Sequence, residues 1–124
     1  MATLEAELEA EAHVDMTTYD ALLHVFEAGP PGIRMTDLSG RLVVSKSGLT
    51  SLVDRLEKRG LLERVPDPTD RRANRVAITE EGRQVFRAAA IVHLAGIARH
   101  FSARVTEDEA QTILEVMERL RRTE

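Results

Sequence analysis

The chain alternates short amphipathic runs with clear stops, and helical spacing dominates it. "ATLEAELEAEAHV" (2–14) is built from strong helix formers, with Leu4 and Leu8 on one face at i, i+4. In "TTYDALLHVFEAGPPG", Thr17 three residues before Asp20 marks a start, and Leu22, Leu23, Val25 and Phe26 supply a face to bury. Gly29-Pro30-Pro31-Gly32 then stops the helix. "MTDLSGRLVV" allows only a brief helix, from Asp37 to Leu42 with Thr36 as its cap; Gly40 weakens it, so packing must hold it.

The pattern is sharpest in "VSKSGLTSLVDRLEKRGLLERV". Ser45 is a candidate N-cap and Gly60 a stop beyond the last turn. Leu49, Leu52, Val53 and Leu56 fall at i, i+3, i+4 and i+7, one apolar stripe. The opposite face then carries Ser47, Thr50, Ser51 and Asp54 at the same spacing, with Lys46 opening the helix and Arg55, Lys58 and Arg59 toward its end. A short helix, a tight connection and a longer helix with small polar residues in its first turns make a helix-turn-helix pattern. Small residues there let a helix sink into the major groove, where Ser and Thr bond to base edges or phosphate. A solvated face that touches nothing fits this helix equally well by itself.

The residues beyond Gly60 shift the balance. "LLERV" and "RVAIT" are rich in branched apolar residues and read as two strands. The excursion of eight or nine residues between them is long for a hairpin, and such loops tend to be functional. Pro66 and Pro68 stiffen it, and Asp67 and Asp70 can bond nearby backbone N–H groups. Arg71 and Arg72 extend from that support, so the whole is a β-hairpin wing.

Charge changes the picture only when divided by position. The net charge is −4, but residues 1–40 carry one Arg against eight acids, residues 41–87 carry 11 Lys and Arg against seven, and the remainder five against six. The balances are −7, +4 and −1, so a basic middle stays available to a polyanion. With 124 residues and 43% hydrophobic content, one domain (1–124) is expected. The absence of Cys removes disulfides and thiolate metal sites. No apolar run approaches the roughly 18 residues of a membrane helix, so no membrane partner and a cytoplasmic location are expected. Catalytic groupings and Gly-rich loops are lacking, so neither an enzyme nor a cofactor is expected.

"LVVSKSGLTSLVDRLEKRGLLERVPDPTDRRANRVAITEEG" resembles the winged helix-turn-helix core of the MarR (multiple antibiotic resistance regulator) family of bacterial transcription factors. The resemblance implies a mainly α fold with a small β-hairpin wing, a DNA-binding lobe at 17–79 and dimerisation helices at 1–16 and 80–124. Ser45 to Arg59 would be the recognition helix, with Ser45, Lys46, Ser47, Thr50 and Ser51 toward double-stranded DNA. In the Asp70-x-Arg72 element, Arg72 would enter the minor groove, Asp70 would orient it by a charge-assisted hydrogen bond, and Arg71 would face solvent or phosphate. Many relatives place a basic residue where Ser51 stands, which argues against arginine-to-guanine readout there. Arg55 and Arg75 are either phosphate contacts or structural partners of Asp54, Glu57 or Glu63.

The C-terminal third reads as an assembly element. Thr79 caps a long helix to Ser102, with Val85, Phe86, Ala89, Val92, Leu94, Ile97 and Phe101 available for burial. Thr106 with Glu109 makes a capping box, with Val105 placed to staple to Ala110. The last helix carries Ile113, Leu114, Val116, Met117 and Leu120, more apolar surface than a peripheral helix needs. By resemblance these helices form a homodimer that reads a palindrome. Fifteen residues precede Met16, fewer than in the family's usual first helix; a smaller dimer, final helices that carry more of it, and a start codon placed too late all fit this.

His13, His24, His93 and His100 lack the tight i, i+3 or i, i+4 spacing of a ligand pair, and no metal is expected. The family's small aromatic or phenolic effectors would enter a crevice for which Met16, Tyr19, His24, Met35 and His93 are candidates, each equally credible as core or surface. The expected function is a sequence-specific homodimeric repressor that an effector releases. The rival from another class is a winged-helix protein-interaction module that binds no DNA.

Overall fold

The computed structural model describes residues 3–12 and 14–122. Along them run α1 (Leu4–Ala12), α2 (Met16–Ala28), β1 (Ile33–Arg34), α3 (Met35–Arg41), α4 (Lys46–Lys58), β2 (Leu62–Pro66), β3 (Asn74–Ile78), α5 (Glu80–Ser102) and α6 (Glu107–Arg122). The fold is mainly α with one small antiparallel sheet in the order β1-β3-β2.

Most helix ends sit where local chemistry puts them. Ser45 Oγ accepts from the Gly48 N–H at 3.0 Å and caps α4. At its far end the Gly60 N–H donates to Glu57 O and the Leu61 N–H to Leu56 O, a Schellman closure that needs the positive φ of 76° at Gly60. Thr79 caps α5 by accepting from the Gly82 N–H at 2.9 Å, and its own hydroxyl donates to Gly60 O at 2.6 Å. A Cβ at Gly82 would strike the Leu61 carbonyl, so glycine lets α5 start hard against the exit of α4. Thr106 and Glu109 exchange both bonds of the capping box, at 2.9 and 3.2 Å.

Three local expectations are corrected, and one element is added. The cap of α2 is Asp15, whose Oδ1 accepts from the Thr18 N–H at 2.7 Å, so the helix begins before Thr17. The start of α3 is Met35, with Arg34 in the cap position and no side-chain cap bond; Thr36 already lies inside the helix. Pairing of Pro66 with Asn74 shortens the wing loop to Asp67–Ala73, seven residues. The two-residue strand β1 is too short for alternation to announce, yet it pairs Ile33 with Val76 and Arg34 with Arg75.

The core collects Leu22 and Val25 of α2, Leu38 of α3, the α4 stripe Leu49, Leu52, Val53 and Leu56, and Leu62 and Val76 of the sheet, all buried. Leu38 explains how a helix weakened by Gly40 persists: packing holds it. Leu8 of α1 is buried where that helix lies along α5. The expectation that α5 buries its apolar residues holds for Phe86 and Ala89 and in part for Val85 and Val92, which pack half-buried against the core; Leu94, Ile97 and Phe101 are exposed. Among the described residues no helix is long and apolar enough to cross a membrane.

Candidate nucleic-acid interface

Because the stripe of α4 is fixed inward, its other face must point outward, and Ser47, Thr50, Ser51 and Asp54 are all exposed. The Thr50 hydroxyl donates to Lys46 O at 3.1 Å, which spends its proton and leaves oxygen lone pairs outward. No acid occupies the first turn, so the positive end of the helix dipole there is unopposed and suits phosphate. Ser45, Lys46 and Arg55 are exposed as well, and Arg55 makes no ion pair among the described residues.

Toward its end α4 is fastened to β2. Arg64 bridges Asp54 at 2.7 Å and Glu57 at 2.8 Å, and its backbone N–H donates to Glu57 Oε2 at 3.0 Å. Two of the carboxylates expected for Arg55 or Arg75 are therefore taken by Arg64, which sequence reasoning left unassigned.

The wing is organised by Asp67 rather than Asp70. The Asp67 side chain is fully buried. Its Oδ1 accepts from the Thr69 N–H at 2.8 Å, the Thr69 hydroxyl at 2.9 Å and the Asp70 N–H at 3.1 Å. Its Oδ2 accepts from Arg34 Nε at 2.8 Å and Arg75 Nε at 2.9 Å. The Thr69 N–H, overcoming the opposing cost of burial, and then the Thr69 hydroxyl and Arg34 guanidinium hold this carboxyl far below the usual carboxylate range. Arg75 also donates to Gly32 O at 2.9 Å. It thus takes the structural alternative, with a partner outside Asp54, Glu57 and Glu63.

Asp70 also differs from expectation. Its Oδ1 accepts from the backbone N–H of Arg72 at 3.0 Å, so it shapes the turn instead of gripping the guanidinium. Arg71 and Arg72 are exposed at the tip, and among the described residues neither guanidinium has an ion-pair or hydrogen-bond partner. The bonds of Asp67 to nearby backbone N–H groups are as its local sequence suggests, but no local signal foretold its ion pairs, because Arg34 lies 33 positions away and meets it only through the β1–β3 pairing.

The five effector candidates divide. Tyr19 is buried between Phe86, with ring centroids 5.6 Å apart, and His93 at 4.9 Å. Met35 instead lines a groove of about 460 Å³ between α3 and α4 with Thr36, Ser39, Lys46, Leu49 and Thr50, and none of the other four lines it. Met16 and Met35 are half-buried against the core. His24 and His93 are half-buried too, each with a buried Nδ1 that lacks a hydrogen-bond partner. His13 lies outside the described residues. His100 pairs with Glu7 of α1 at 3.1 Å, beside Arg99 at 2.8 Å. Burial works against the charge on Glu7, but His100 and Arg99 hold its carboxyl below the usual range. Among the described residues no group of three or more His, Asp or Glu could hold a metal ion.

Comparison with known proteins places this geometry in context. Residues 14–73 match the MarR family model. The transcriptional regulator HosA of Escherichia coli O111:H- is 31% identical over 93 residues, covering 75% of this chain and 68% of HosA. The crystal structure of Sco3205, a MarR family transcriptional regulator from Streptomyces coelicolor in complex with DNA, is 28% identical with a TM-score of 0.75, over 94% of this chain and 73% of that one. The PcaV transcriptional regulator from Streptomyces coelicolor, in complex with its natural ligand, is 26% identical with a TM-score of 0.67, over 91% of this chain and 80% of that one.

Proposed function

The chain belongs to the MarR family of DNA-binding transcriptional regulators, and from that premise we propose that it is a homodimeric repressor of a palindromic operator. The observation that carries this reading is the pairing of two exposed features: Ser47, Thr50 and Ser51 on the outward face of α4, and a wing whose Arg71 and Arg72 guanidinium groups are unpaired among the described residues. The hydroxyls and the Ser45–Lys46 end of α4 address base edges and phosphate in the major groove. Arg72 enters the minor groove, where a narrow A·T-rich tract attracts it more by groove width than by base identity. Arg71 and Arg55 meet phosphate, whereas Arg75 and Asp70 act behind the surface by holding the wing.

Support for the homodimer comes from the apolar residues that α5 and α6 leave in water, among them Ile91, Leu94, Leu114 and Met117. That Sco3205 is in complex with DNA and PcaV with its natural ligand supports a regulator released by a small aromatic or phenolic effector. The Tyr19, Phe86 and His93 cluster is the proposed aromatic wall of that site. Release then requires an effector that prefers one dimer shape over another.

Selection from a mixed duplex DNA library at two salt concentrations tests the proposal. A palindrome is expected to be enriched, with affinity falling steeply as salt rises. Arg72→Ala should weaken binding broadly across sequences and make the salt slope shallower by about one. Absence of any enriched sequence, with binding indifferent to Arg72→Ala, would favour a winged-helix protein-interaction module instead.

A further inference from the structure

We propose that Arg34, Asp67 and Arg75 form a latch that sets the pitch of the wing against the helix-turn-helix, making Arg34 and Asp67 positioning residues for Arg72. The inference rests on the DNA-binding reading above and assigns work to side chains that touch no DNA.

The β1–β3 register places Arg34 directly opposite Arg75. Like charges in that relation repel, so the pairing needs an anion between them. Asp67 supplies it, with one oxygen, Oδ2, shared by both Nε atoms at 2.8 and 2.9 Å. The other oxygen is occupied by the wing's own first turn, through Thr69 and Asp70. One buried carboxylate thus joins two bodies, the loop on one side and the β1–β3 ladder on the other.

Position makes this more than a stabilising contact. Arg34 is both the last residue of β1 and the cap residue of α3, the first helix of the helix-turn-helix. Its side chain makes no cap bond to α3 and reaches Asp67 instead. Within the loop, the Asp67 N–H bonds to Ala73 O, the Ala73 N–H to Asp70 O, and the Arg72 N–H to Asp70 Oδ1. The backbone that carries Arg72 is therefore referenced to Asp67, and through Asp67 and Arg34 to the start of α3. Removing the latch leaves the hairpin paired while freeing its pitch relative to α4, so Arg72 would present itself over a spread of angles to the minor groove.

A double-mutant cycle on the full chain, using the enriched duplex as probe, tests this. Asp67→Asn and Arg34→Gln should each lower affinity severalfold. In an Arg72→Ala background neither should lower it further, because the aim of a missing guanidinium has no effect. Both should also relax the preference for A·T over G·C pairs under the wing while leaving base preference under α4 unchanged, a split that general destabilisation does not produce. Arg34 is partly exposed, at 40% of its side chain, so Arg34→Gln remains folded and informative even where Asp67→Asn does not fold. Losses that add to that of Arg72→Ala, or an Arg34→Gln protein that binds as the unsubstituted one does, would overturn the latch alone. Failure of the unsubstituted chain to bind any duplex overturns the proposed function, and the latch with it.

Discussion

Two helices of this molecule, α4 and α6, are both strongly amphipathic, yet they end in opposite situations. The apolar stripe of α4 is buried in the shared core, with Val53 and Leu56 at 0% exposure. On α6, Leu114 and Met117 remain 59% and 60% exposed, and α5 carries Ile91 and Leu94 in the same state. The first region finds its hydrophobic partner within the chain; the second offers one. Amphipathicity alone therefore specifies that a face will be covered, and only the surrounding topology says by what.

The sharpest way to break this contrast is to charge the offered face. Leu114→Glu with Met117→Glu is expected to make the protein monomeric at micromolar concentration by sedimentation. Loss of the second half-site contact should weaken palindrome binding by on the order of a hundredfold or more. A double variant that still sediments as a dimer would place the interface elsewhere.

A truncation applied to both helices sharpens it. Leu56→Ala should cost about 2–5 kcal/mol of unfolding free energy, the penalty of a lost side chain plus a cavity. Leu114→Ala, measured in dilute protein where subunits separate, should stay within about 0.5 kcal/mol. Equal losses in urea melts would contradict the contrast. Smaller still, Ser45→Ala should cost about 1 kcal/mol through the α4 cap, read as a shift in midpoint at constant slope.

A pH-dependent effect belongs to Asp67, whose contribution is fully present at neutral pH and disappears in acid. Its folded carboxyl titrates far below the ordinary 3.8, so its stabilisation is complete above that value and is lost as pH falls below it. Unfolding curves from pH 5 downward should show an acid limb that Asp67→Asn flattens, and an unchanged limb would remove Asp67 from the acid response.

Features written within a few residues were legible in the chain. Ser45, Gly60, Thr79 and the Thr106–Glu109 box act on N–H and C=O groups three or four positions away, so spacing reveals them. The stripe of α4 and its hydroxyl face came from the same local geometry. Competing local options were harder: Asp15 displaced Thr17 as a cap because either oxygen could serve, and α3 began without one. Contacts that join distant segments were not legible. Arg34 meets Asp67 across 33 positions, and Arg64 takes both Asp54 and Glu57 from across the β2 turn. The role of Asp70 was half visible, since its spacing to Arg72 suits a backbone bond and a side-chain bond alike.

The junction of Gly60, Thr79 and Gly82 gives α5 the mechanics of a lever. The Thr79 hydroxyl and the bare Gly82 backbone bolt the exit of α4 to the entry of α5. With 23 residues, α5 is about 34 Å long at 1.5 Å per residue, so a tilt of about 5° at its far end swings the bolted end by about 3 Å. That swing is close to the rise of one base pair in DNA, about 3.4 Å. In the proposed homodimer, a small rocking between two subunits would be geared up into a shift of about one base step for each α4.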